Sequence, residues 1–204
     1  TINEKFIDIL YNNLINNDVD VSICSFNTYK NDKTQNFKSA NYNIKASSDF
    51  VKYIDDPNAY KGFVWNKMYR LDLVKKVMFN KDIYMNEDLL FNIHIATVAT
   101  KFYYTPEKLY NYHIRTTGAY NQAINEKKLT SIDAYKQIIS IIKLYFKENE
   151  DDFQIQFLKI LLWLKYSINK ETNKNLKGII NKETNKQYDY IKNNIKEKKK
   201  KKIE

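Results

Sequence analysis

The fold of this chain is decided by two stretches of sequence, Gly62-Phe63-Val64-Trp65-Asn66-Lys67-Met68-Tyr69 and Asn86-Glu87-Asp88-Leu89-Leu90-Phe91. The first predicts a strand over residues 61–69 that carries polar, hydrogen-bonding side chains. The second predicts an apolar helix over residues 87–100, with Asn86 as its N-cap and two adjacent carboxylates on its first turn. A carboxylate in that position can act as a general base toward a polar substrate.

The segments around these motifs predict a mixture of helices and strands. An amphipathic helix over residues 3–16 is followed by a strand over residues 20–26. The polar, periodless residues 27–46 predict a loop or a weak hairpin. The remaining predicted elements are a short helix capped by Ser47 or Ser48 that runs through Ile54 and is ended by Pro57, a short helix over residues 71–77, and strands over residues 102–104 and 109–113 on either side of a turn at Pro106-Glu107.

From about residue 125 onward the apolar pattern is helical throughout, which separates a mixed part of the chain from an all-helical part. We therefore predict two domains, residues 1–122 and residues 123–204. The first is an α/β domain, α+β by content, in which helices flank a mixed sheet. The second is a helical C-terminal extension whose predicted helices cover residues 125–147, 152–168 and 172–198.

The composition limits the classes of protein that the chain can belong to. Only 3 glycines and 2 prolines occur in 204 residues, which argues for long regular elements and against folds with many tight turns. The 17 tyrosines and 11 phenylalanines can fill a core. A single cysteine, Cys24, permits no internal disulfide and predicts a reducing compartment. We expect a cytoplasmic protein, because no secretory signal opens the sequence and no apolar run is long enough to span a membrane.

The net charge of +10 is concentrated toward the C-terminal end. Residues 1–150 carry 20 basic and 17 acidic side chains, whereas residues 151–204 carry 14 and 7. The most basic segment, residues 196–204, has two interpretations: a solvated chain end, or a surface that contacts anionic lipid or nucleic acid. The tyrosines are spread over the chain and are not clustered with basic residues, which disfavours nucleic acid as the partner.

The order of these motifs resembles the second half of bacterial family 2 glycosyltransferases. The resemblance covers residues 3–120 and rests on Asp-Val-Ser-Ile-Cys at 20–24, Val-Trp-Asn-Lys-Met-Tyr at 64–69, Asn-Glu-Asp-Leu-Leu-Phe-Asn at 86–92 and Leu-Tyr-Asn-Tyr-His-Ile-Arg at 109–115. Members of this family have the GT-A fold. They build capsular, exopolysaccharide and lipopolysaccharide chains from nucleotide-activated sugars.

The resemblance implies roles for the two carboxylates of the second motif. Asp88 would be the general base that deprotonates the acceptor hydroxyl in an inverting hexosyl transfer, and Glu87 would position the acceptor or the end of the helix. Successive helical side chains diverge by about 100°, so the two cannot serve one hydroxyl together. The position at the helix N-terminus favours the ionised form of Asp88. The alternative is that both are ordinary acids of a helical first turn.

The resemblance also implies an acceptor side lined by Trp65, Asn66 and Lys67. An indole face can stack on a sugar ring, and the two polar side chains can bind hydroxyls or phosphate. The alternatives are that Trp65 belongs to the core and that Lys67 pairs with an acid. By the same resemblance, His113 and Arg115 would contact a diphosphate or, for His113, contribute weakly to a metal site. Their alternative is a plain surface strand.

The donor side of such an enzyme is expected to lie outside this chain. In the family, a preceding region ends in an Asp-x-Asp pair that holds a divalent metal, Mn or Mg, and the nucleotide diphosphate. Asp18-Val19-Asp20 has those letters but lies between the first helix and the first strand, so we interpret it as a junction. We therefore expect the chain alone to be an inactive glycosyltransferase fragment without metal ligands of its own.

The implied partners are a nucleotide-sugar donor and a glycan or lipid-linked acceptor. A lipid-linked acceptor would place the complete enzyme peripherally at the inner face of the plasma membrane, held there by residues 196–204. The alternative function is a non-catalytic, basic helical module that binds nucleic acid, an anionic membrane or a protein partner.

Overall fold

The computed structural model describes residues 1–30, 33–35, 41–54, 56, 59–114, 123–169 and 173–195. The elements in these ranges are α1 (Phe6–Asn16), β1 (Val21–Lys30), β2 (Lys33–Gln35), α2 (Ser47–Tyr53), β3 (Lys67–Tyr69), α3 (Leu71–Val74), α4 (Glu87–Val98), β4 (Phe102–Ile114), α5 (Glu126–Tyr145), α6 (Glu150–Tyr166) and α7 (Lys174–Tyr190). The chain is a mixed α/β protein with a helical C-terminal region, which confirms the predicted fold class.

The chain divides into two compact units. The first comprises Thr1–Asn80 and Asp88–Asn121, and the second comprises Lys81–Glu87 and Gln122–Glu204. All four strands of the described residues lie in the first unit, and α5 to α7 lie in the second. The inclusion of residues 81–87 in the helical unit has no signal in the sequence. It reflects contacts such as the hydrogen bond from the Tyr84 N–H to the Thr130 hydroxyl at 3.0 Å.

The sheet of the first unit is built around β1. The strand β4 pairs with β1 in parallel along its whole length. The strand β3 runs antiparallel to the first three residues of β1, and β2 runs antiparallel to its last three. The weak hairpin predicted after residue 26 is therefore present as β1 and β2, although β1 continues to Lys30 before the chain turns back.

Successive side chains of a strand point to opposite faces of a sheet, so both faces carry apolar side chains to bury. A helix covers each face. On one face, Phe6 and Leu10 of α1 form a buried cluster with Cys24 of β1 and Leu109 of β4. On the opposite face, Phe50 of α2 stacks on Phe102 of β4, with ring centroids 4.5 Å apart. The amphipathic pattern of the first helix is thus confirmed.

The predicted turn at Pro106-Glu107 is wrong, because β4 runs as one strand through this point. Its register with β1 shifts here: Cys24 lies opposite Thr105, whereas the next residue, Ser25, lies opposite Lys108. The two intervening residues form a bulge, in which no ladder hydrogen bond is required. A proline, which has no N–H to donate, is tolerated there without ending the strand.

The predicted strand over residues 61–69 is also too long, since β3 covers only Lys67–Tyr69. Lys61 has a positive φ of 59°, which a regular strand does not allow. The backbone carbonyls of residues 60–63 accept hydrogen bonds from buried side chains and not from a neighbouring strand. An extended pattern in the sequence therefore folds as an irregular segment, residues 60–66, which we call the inner loop.

The helices α2 and α3 differ from the predictions in the residue that caps the first and in the residue that ends the second. The predicted serine cap of α2 is wrong: Ala46 is the N-cap, and the Asp49 carboxylate accepts the Lys45 and Ala46 N–H groups at 2.9 and 3.3 Å. The Ser47 hydroxyl instead donates to the Ala99 carbonyl at 2.6 Å. The helix α3 ends at Val74 rather than at residue 77. Pro57 lies outside the described residues.

The second unit is a packed set of three helices with its own core. Asn125 caps α5, and its side chain accepts the Lys128 N–H at 3.0 Å. A short 3-10 turn (Lys147–Asn149) joins α5 to α6, and a π-helical turn (Ile191–Ile195) continues α7. The core contains a stack of Tyr135 on Phe157 at 5.6 Å and these fully buried side chains: Ile138, Ile142, Leu161, Leu164 and Ile180.

Candidate active site

The inner loop is held by three buried side chains that reach its backbone oxygens. Asn66 donates from Nδ2 to the Tyr60 carbonyl at 2.8 Å, and Lys67 donates from Nζ to the Lys61 carbonyl at 2.8 Å. Asn92 of α4 donates from Nδ2 to the Gly62 carbonyl at 3.1 Å. These bonds satisfy consecutive peptide groups in a buried setting, where an unpaired carbonyl is costly.

Asn66 is wholly buried and fully engaged inside the protein. Its Nδ2 also donates to the Cys24 carbonyl at 3.0 Å, and its Oδ1 accepts from Lys67 Nζ at 3.0 Å. The side chain therefore ties the inner loop to β1. Asn66 has no exposed surface, and this burial favours a structural role over its predicted contact with an acceptor.

Lys67 is buried to 6% exposure, and its ammonium group donates to three uncharged oxygens. These are the carbonyls of Lys61 and Phe63, at 2.8 and 2.5 Å, and Asn66 Oδ1 at 3.0 Å. Burial lowers the pKa of Lys67 to about 7, although Cys24 and Asp88 act in the opposite direction. All three donors of Lys67 are used inside the protein, which favours a structural role over the predicted acceptor contact.

Asp88 lies on the first turn of α4, where the sequence places it, and is partly buried. Its Oδ2 accepts the Val64 N–H of the inner loop at 3.5 Å. Burial raises the pKa of Asp88, while the Val64 N–H and the charge of Lys67 act to lower it. Desolvation dominates, which makes the carboxylate a stronger base.

Glu87 is the first residue of α4 and is partly exposed. The residue before it, Asn86, has a positive φ of 65°, a conformation that asparagine tolerates better than most residues. The chain thus turns sharply into the helix just before the two carboxylates. The predicted apolar stripe of α4 is confirmed, with Leu89, Ile93 and Ala96 all buried.

Trp65 belongs to a cluster of aromatic rings on the sheet face that α1 covers. It stacks on Phe63 at 4.7 Å, on Tyr110 at 4.2 Å and on Tyr112 at 5.4 Å, with small interplanar angles. Phe26 meets its ring edge to face at 5.0 Å. Trp65 packs against these rings and is also partly exposed. Its predicted stacking on a sugar ring therefore stays a prediction.

Tyr112 is a member of this cluster that the sequence analysis did not name as a site residue. It is 39% exposed, and its ring lies nearly parallel to that of Trp65 at 9°. The signal available in the sequence was the alternation of Tyr110 and Tyr112 in a strand, which places both rings on one face. Phe63 and Trp65 flank Val64, whose N–H binds Asp88, so the cluster and the carboxylate share one short segment.

His113 is not brought together with the other predicted residues. It stacks on Tyr29 at 5.0 Å, on the sheet face opposite to Tyr112. Tyr29 is six residues along β1 from Ile23, the partner of Lys67, which corresponds to about 20 Å. The grouping of His113 with the Trp65 segment is therefore wrong, and its alternative, an exposed strand position, describes it. Arg115 lies outside the described residues.

The two aspartates of Asp18-Val19-Asp20 occupy the junction between α1 and β1, as interpreted from the sequence. Asp18 pairs with Arg70 at 3.0 Å and with Lys101 at 2.7 Å. Asp20 Oδ2 accepts the Thr100 and Lys101 N–H groups at 2.7 and 3.0 Å. Both carboxylates therefore have protein partners at this junction.

Two further observations limit the site. Among the described residues, no group of three or more His, Cys, Asp and Glu side chains is placed to hold a metal ion. In the same part of the chain, no helix is both long and apolar enough to cross a membrane. Residues 196–204, the predicted basic contact surface, lie outside the described ranges.

Comparison with known proteins gives no family for this chain. No protein-family model matches it, and no curated protein matches it.

Proposed function

We propose that this chain is the acceptor-binding part of an inverting glycosyltransferase, with Asp88 as the general base. The observation that carries the proposal is a partly buried carboxylate, with its pKa raised by burial, that accepts the N–H of Val64, the residue between two members of a partly exposed aromatic cluster. Sugar hydroxyls need a base, and sugar C–H faces pack on aromatic rings. The two features are joined by the segment Phe63-Val64-Trp65.

In the proposed reaction, Asp88 takes the proton of the attacking acceptor hydroxyl. The acceptor oxygen forms a bond to the anomeric carbon of the donor sugar, on the face opposite to the leaving group. The bond from that carbon to the nucleotide diphosphate breaks, and the electron pair leaves with the diphosphate. The configuration is inverted because attack and departure occur on opposite faces. Asp88 then returns its proton to solvent.

The long contact from the Val64 N–H stabilises the ionised form that a base needs, while burial keeps that form reactive. A general base works best when its pKa lies near the working pH. The raised pKa of Asp88 moves it in that direction. Glu87 on the same turn diverges from Asp88, and in this proposal it positions the acceptor or the helix end.

The proposed setting is bacterial cell-surface polysaccharide synthesis. The donor is a nucleotide-sugar bound, with its divalent metal, by a part of the enzyme other than the described residues. The acceptor is a glycan or a lipid-linked glycan, and the basic residues 196–204 would contact an anionic membrane at its cytoplasmic face. Deletion of residues 196–204 is then expected to weaken binding to anionic vesicles, and unchanged binding would remove this part of the proposal.

The first test is the substitution Asp88→Asn in the complete gene product that carries this chain. Transfer from a panel of nucleotide-sugars to glycan acceptors should fall by about 10²-fold or more, since one general base contributes 10²–10⁴. Donor binding, measured by calorimetry, should be unchanged. Asp72→Asn is the matched control, because Asp72 is an exposed acid on the first turn of α3.

A second measurement addresses the aromatic cluster. Only two tryptophans occur in the chain, so Trp163→Phe leaves Trp65 as the sole indole reporter. Titration with oligosaccharide acceptors should then change its fluorescence, and Tyr112→Ala should weaken that binding.

Transfer that survives Asp88→Asn intact would contradict the proposal and favour the alternative, a non-catalytic helical module.

A further inference from the structure

The inner loop contains a peptide group that is held at both ends. The Phe63 carbonyl accepts from Lys67 Nζ at 2.5 Å, and the N–H of the same peptide group, that of Val64, donates to Asp88 at 3.5 Å. A trans peptide is planar, with its C=O and N–H pointing in opposite directions. The ammonium ion on one side therefore fixes the direction of the N–H on the other.

Lys67 restrains the next peptide group as well. Its own backbone N–H donates to the Val64 carbonyl at 3.2 Å. Val64 thus lies between two carbonyls that both bind Lys67, one through the side chain and one through the backbone. The third donor contact, to the Lys61 carbonyl, fixes the residue whose φ is 59°, where the loop leaves the extended conformation.

The ammonium group of Lys67 is enclosed by the protein. Tyr60 lies 5.3 Å away with its ring facing the ammonium, and the side chain is 6% exposed. The charged or titratable groups that act on it electrostatically are Cys24 and Asp88. A buried lysine costs free energy unless its charge is compensated, so a charge at this position calls for a role that a methionine would not supply.

We propose that Lys67 is a positioning residue: its buried ammonium ion holds the Phe63–Val64 peptide group so that the Val64 N–H faces the Asp88 carboxylate. It acts through the backbone and does not touch a substrate. The relevance to catalysis rests on the proposed function of Asp88. The contact itself does not, and it can be measured in the protein without any acceptor or donor.

The test is an NMR titration of the Asp88 carboxyl carbon and the Val64 amide in the full chain. In the wild-type protein the Val64 amide should shift with the same midpoint as the Asp88 carboxyl. In Lys67→Met that midpoint should rise by about one pH unit or more, because Asp88 loses both an opposite charge and the oriented Val64 N–H. The Val64 amide should also lose most of its dependence on Asp88. Lys76→Met is the matched control, since Lys76 is exposed and should leave both midpoints unchanged.

The result that would overturn the proposal is a folded Lys67→Met protein in which Val64 still titrates with Asp88 at the wild-type midpoint. If Lys67→Met does not fold, Asp88→Asn is measured instead, with ¹⁵N-labelled lysine. The wild-type protein should show an exchange-protected Lys67 ammonium signal at pH 5, and Asp88→Asn should lower the midpoint at which it titrates. An unprotected signal, or an unchanged midpoint, also overturns the proposal.

Failure of the proposed function would look different. If Asp88→Asn leaves transfer intact while Lys67→Met moves the Asp88 titration, then Lys67 positions a carboxylate that is not a catalytic base. If Asp88→Asn abolishes transfer while Lys67→Met leaves the Asp88 titration in place, the proposed function stands and the role of Lys67 is rejected.

Discussion

At the scale of single residues, burial controls the two charged groups of the site in opposite directions. It lowers the pKa of Lys67 to about 7 and raises the pKa of Asp88, because both shifts disfavour the charged form. Their mutual attraction works against each shift. Neither side chain therefore behaves as its type does in water, and both give the protein a measurable dependence on pH.

The folding stability of the first unit should rise between pH 7 and 9. Unfolded Lys67 keeps its proton up to a pKa of about 10.4, whereas the folded state loses it near 7. The unfolded state binds more protons in this window, so stability rises with pH, by at most about 1.4 kcal/mol per unit. Urea titrations in a Trp163→Phe background, with Trp65 as the probe, measure it.

The control for this prediction is Lys67→Met, which should lack the rise. The window closes near pH 9, because burial raises the pKa of Cys24 to about 12. Above about pH 9 the unfolded thiol releases a proton that the folded thiol keeps, so the Cys24 contribution falls with pH and offsets the rise from Lys67. An equal slope in the wild-type protein and in Lys67→Met would show that another group titrates.

Gly62 is the residue at which the inner loop approaches α4 most closely. A Cβ at Gly62 would lie 2.7 Å from Leu89 Cδ1 and 3.2 Å from the Leu89 Cα, which belongs to the backbone. We expect Gly62→Ala to cost about 1–3 kcal/mol through overpacking. Gly178→Ala is the matched control: it lies within α7 with open space around it and should stabilise by about 0.5–1 kcal/mol. Thermal and urea unfolding of both variants check the opposite signs.

At the scale of elements, a carboxylate joins the start of β1 to the start of β4. Asp20 Oδ2 accepts the N–H groups of Thr100 and Lys101 and the Thr100 hydroxyl. Burial raises the pKa of Asp20, but these hydrogen bonds outweigh it, so the net pKa is lowered. The stabilisation is present above the unfolded pKa and is lost as the pH falls through the folded one.

Asp20→Ala should therefore destabilise the first unit by about 1–3 kcal/mol at neutral pH, because it leaves two backbone donors without their partner. The deficit relative to wild type should shrink below about pH 4, where the unfolded carboxylate takes up a proton before the folded one does. Denaturant titrations at pH 7 and pH 3 measure both effects. Asp8→Ala, an exposed acid on α1, is the control and should change stability by less than about 0.5 kcal/mol.

The sequence predicted the elements well where local pattern and burial agree. The stripe of Leu89, Ile93 and Ala96 is a helical signal that packing reinforces. It failed where long-range hydrogen bonds compete with local propensity. The pattern of the inner loop is extended, yet its carbonyls accept hydrogen bonds from Lys67, Asn66 and Asn92. These contacts cannot be predicted from the spacing of residues in the sequence. A turn was predicted at Pro106 because a proline is found both in turns and in the bulge of a long strand, and the local sequence does not distinguish them.

The site shows the same division between what was predictable and what was not. The position of Asp88 on the first turn of α4 was predictable, because an acid at the start of an apolar pattern is a local feature of the sequence. Lys67 was assigned to a substrate because the chain gives no sign that its ammonium turns inward to three carbonyl and amide oxygens. Tyr112 was missed, although its alternation with Tyr110 was visible. His113 was misplaced because a strand sends neighbouring residues to opposite faces.

At the scale of the whole molecule, the chain has two hydrophobic cores, one for each unit. The second core is made by helices alone, and its buried side chains lie on the inner faces of α5, α6 and α7. It also contains a buried pair of amides, in which Gln187 Nε2 donates to Gln154 Oε1 at 2.7 Å. The contribution of this core to the free energy of unfolding can therefore be measured by substitution of its side chains.

Two neighbouring leucines of α6 test that core. Leu161 is fully buried, whereas Leu162 is 36% exposed. Leu161→Ala should cost about 2–5 kcal/mol, because it removes buried methyl groups and leaves a cavity. Leu162→Ala should cost less than about 1 kcal/mol, since the same atoms are lost from a position that water already reaches. Urea unfolding followed by Trp163 fluorescence, in a Trp65→Phe background, reports on this unit. Similar costs for the two variants would mean that α6 does not pack with Leu161 inward, and the helical core as described would be wrong.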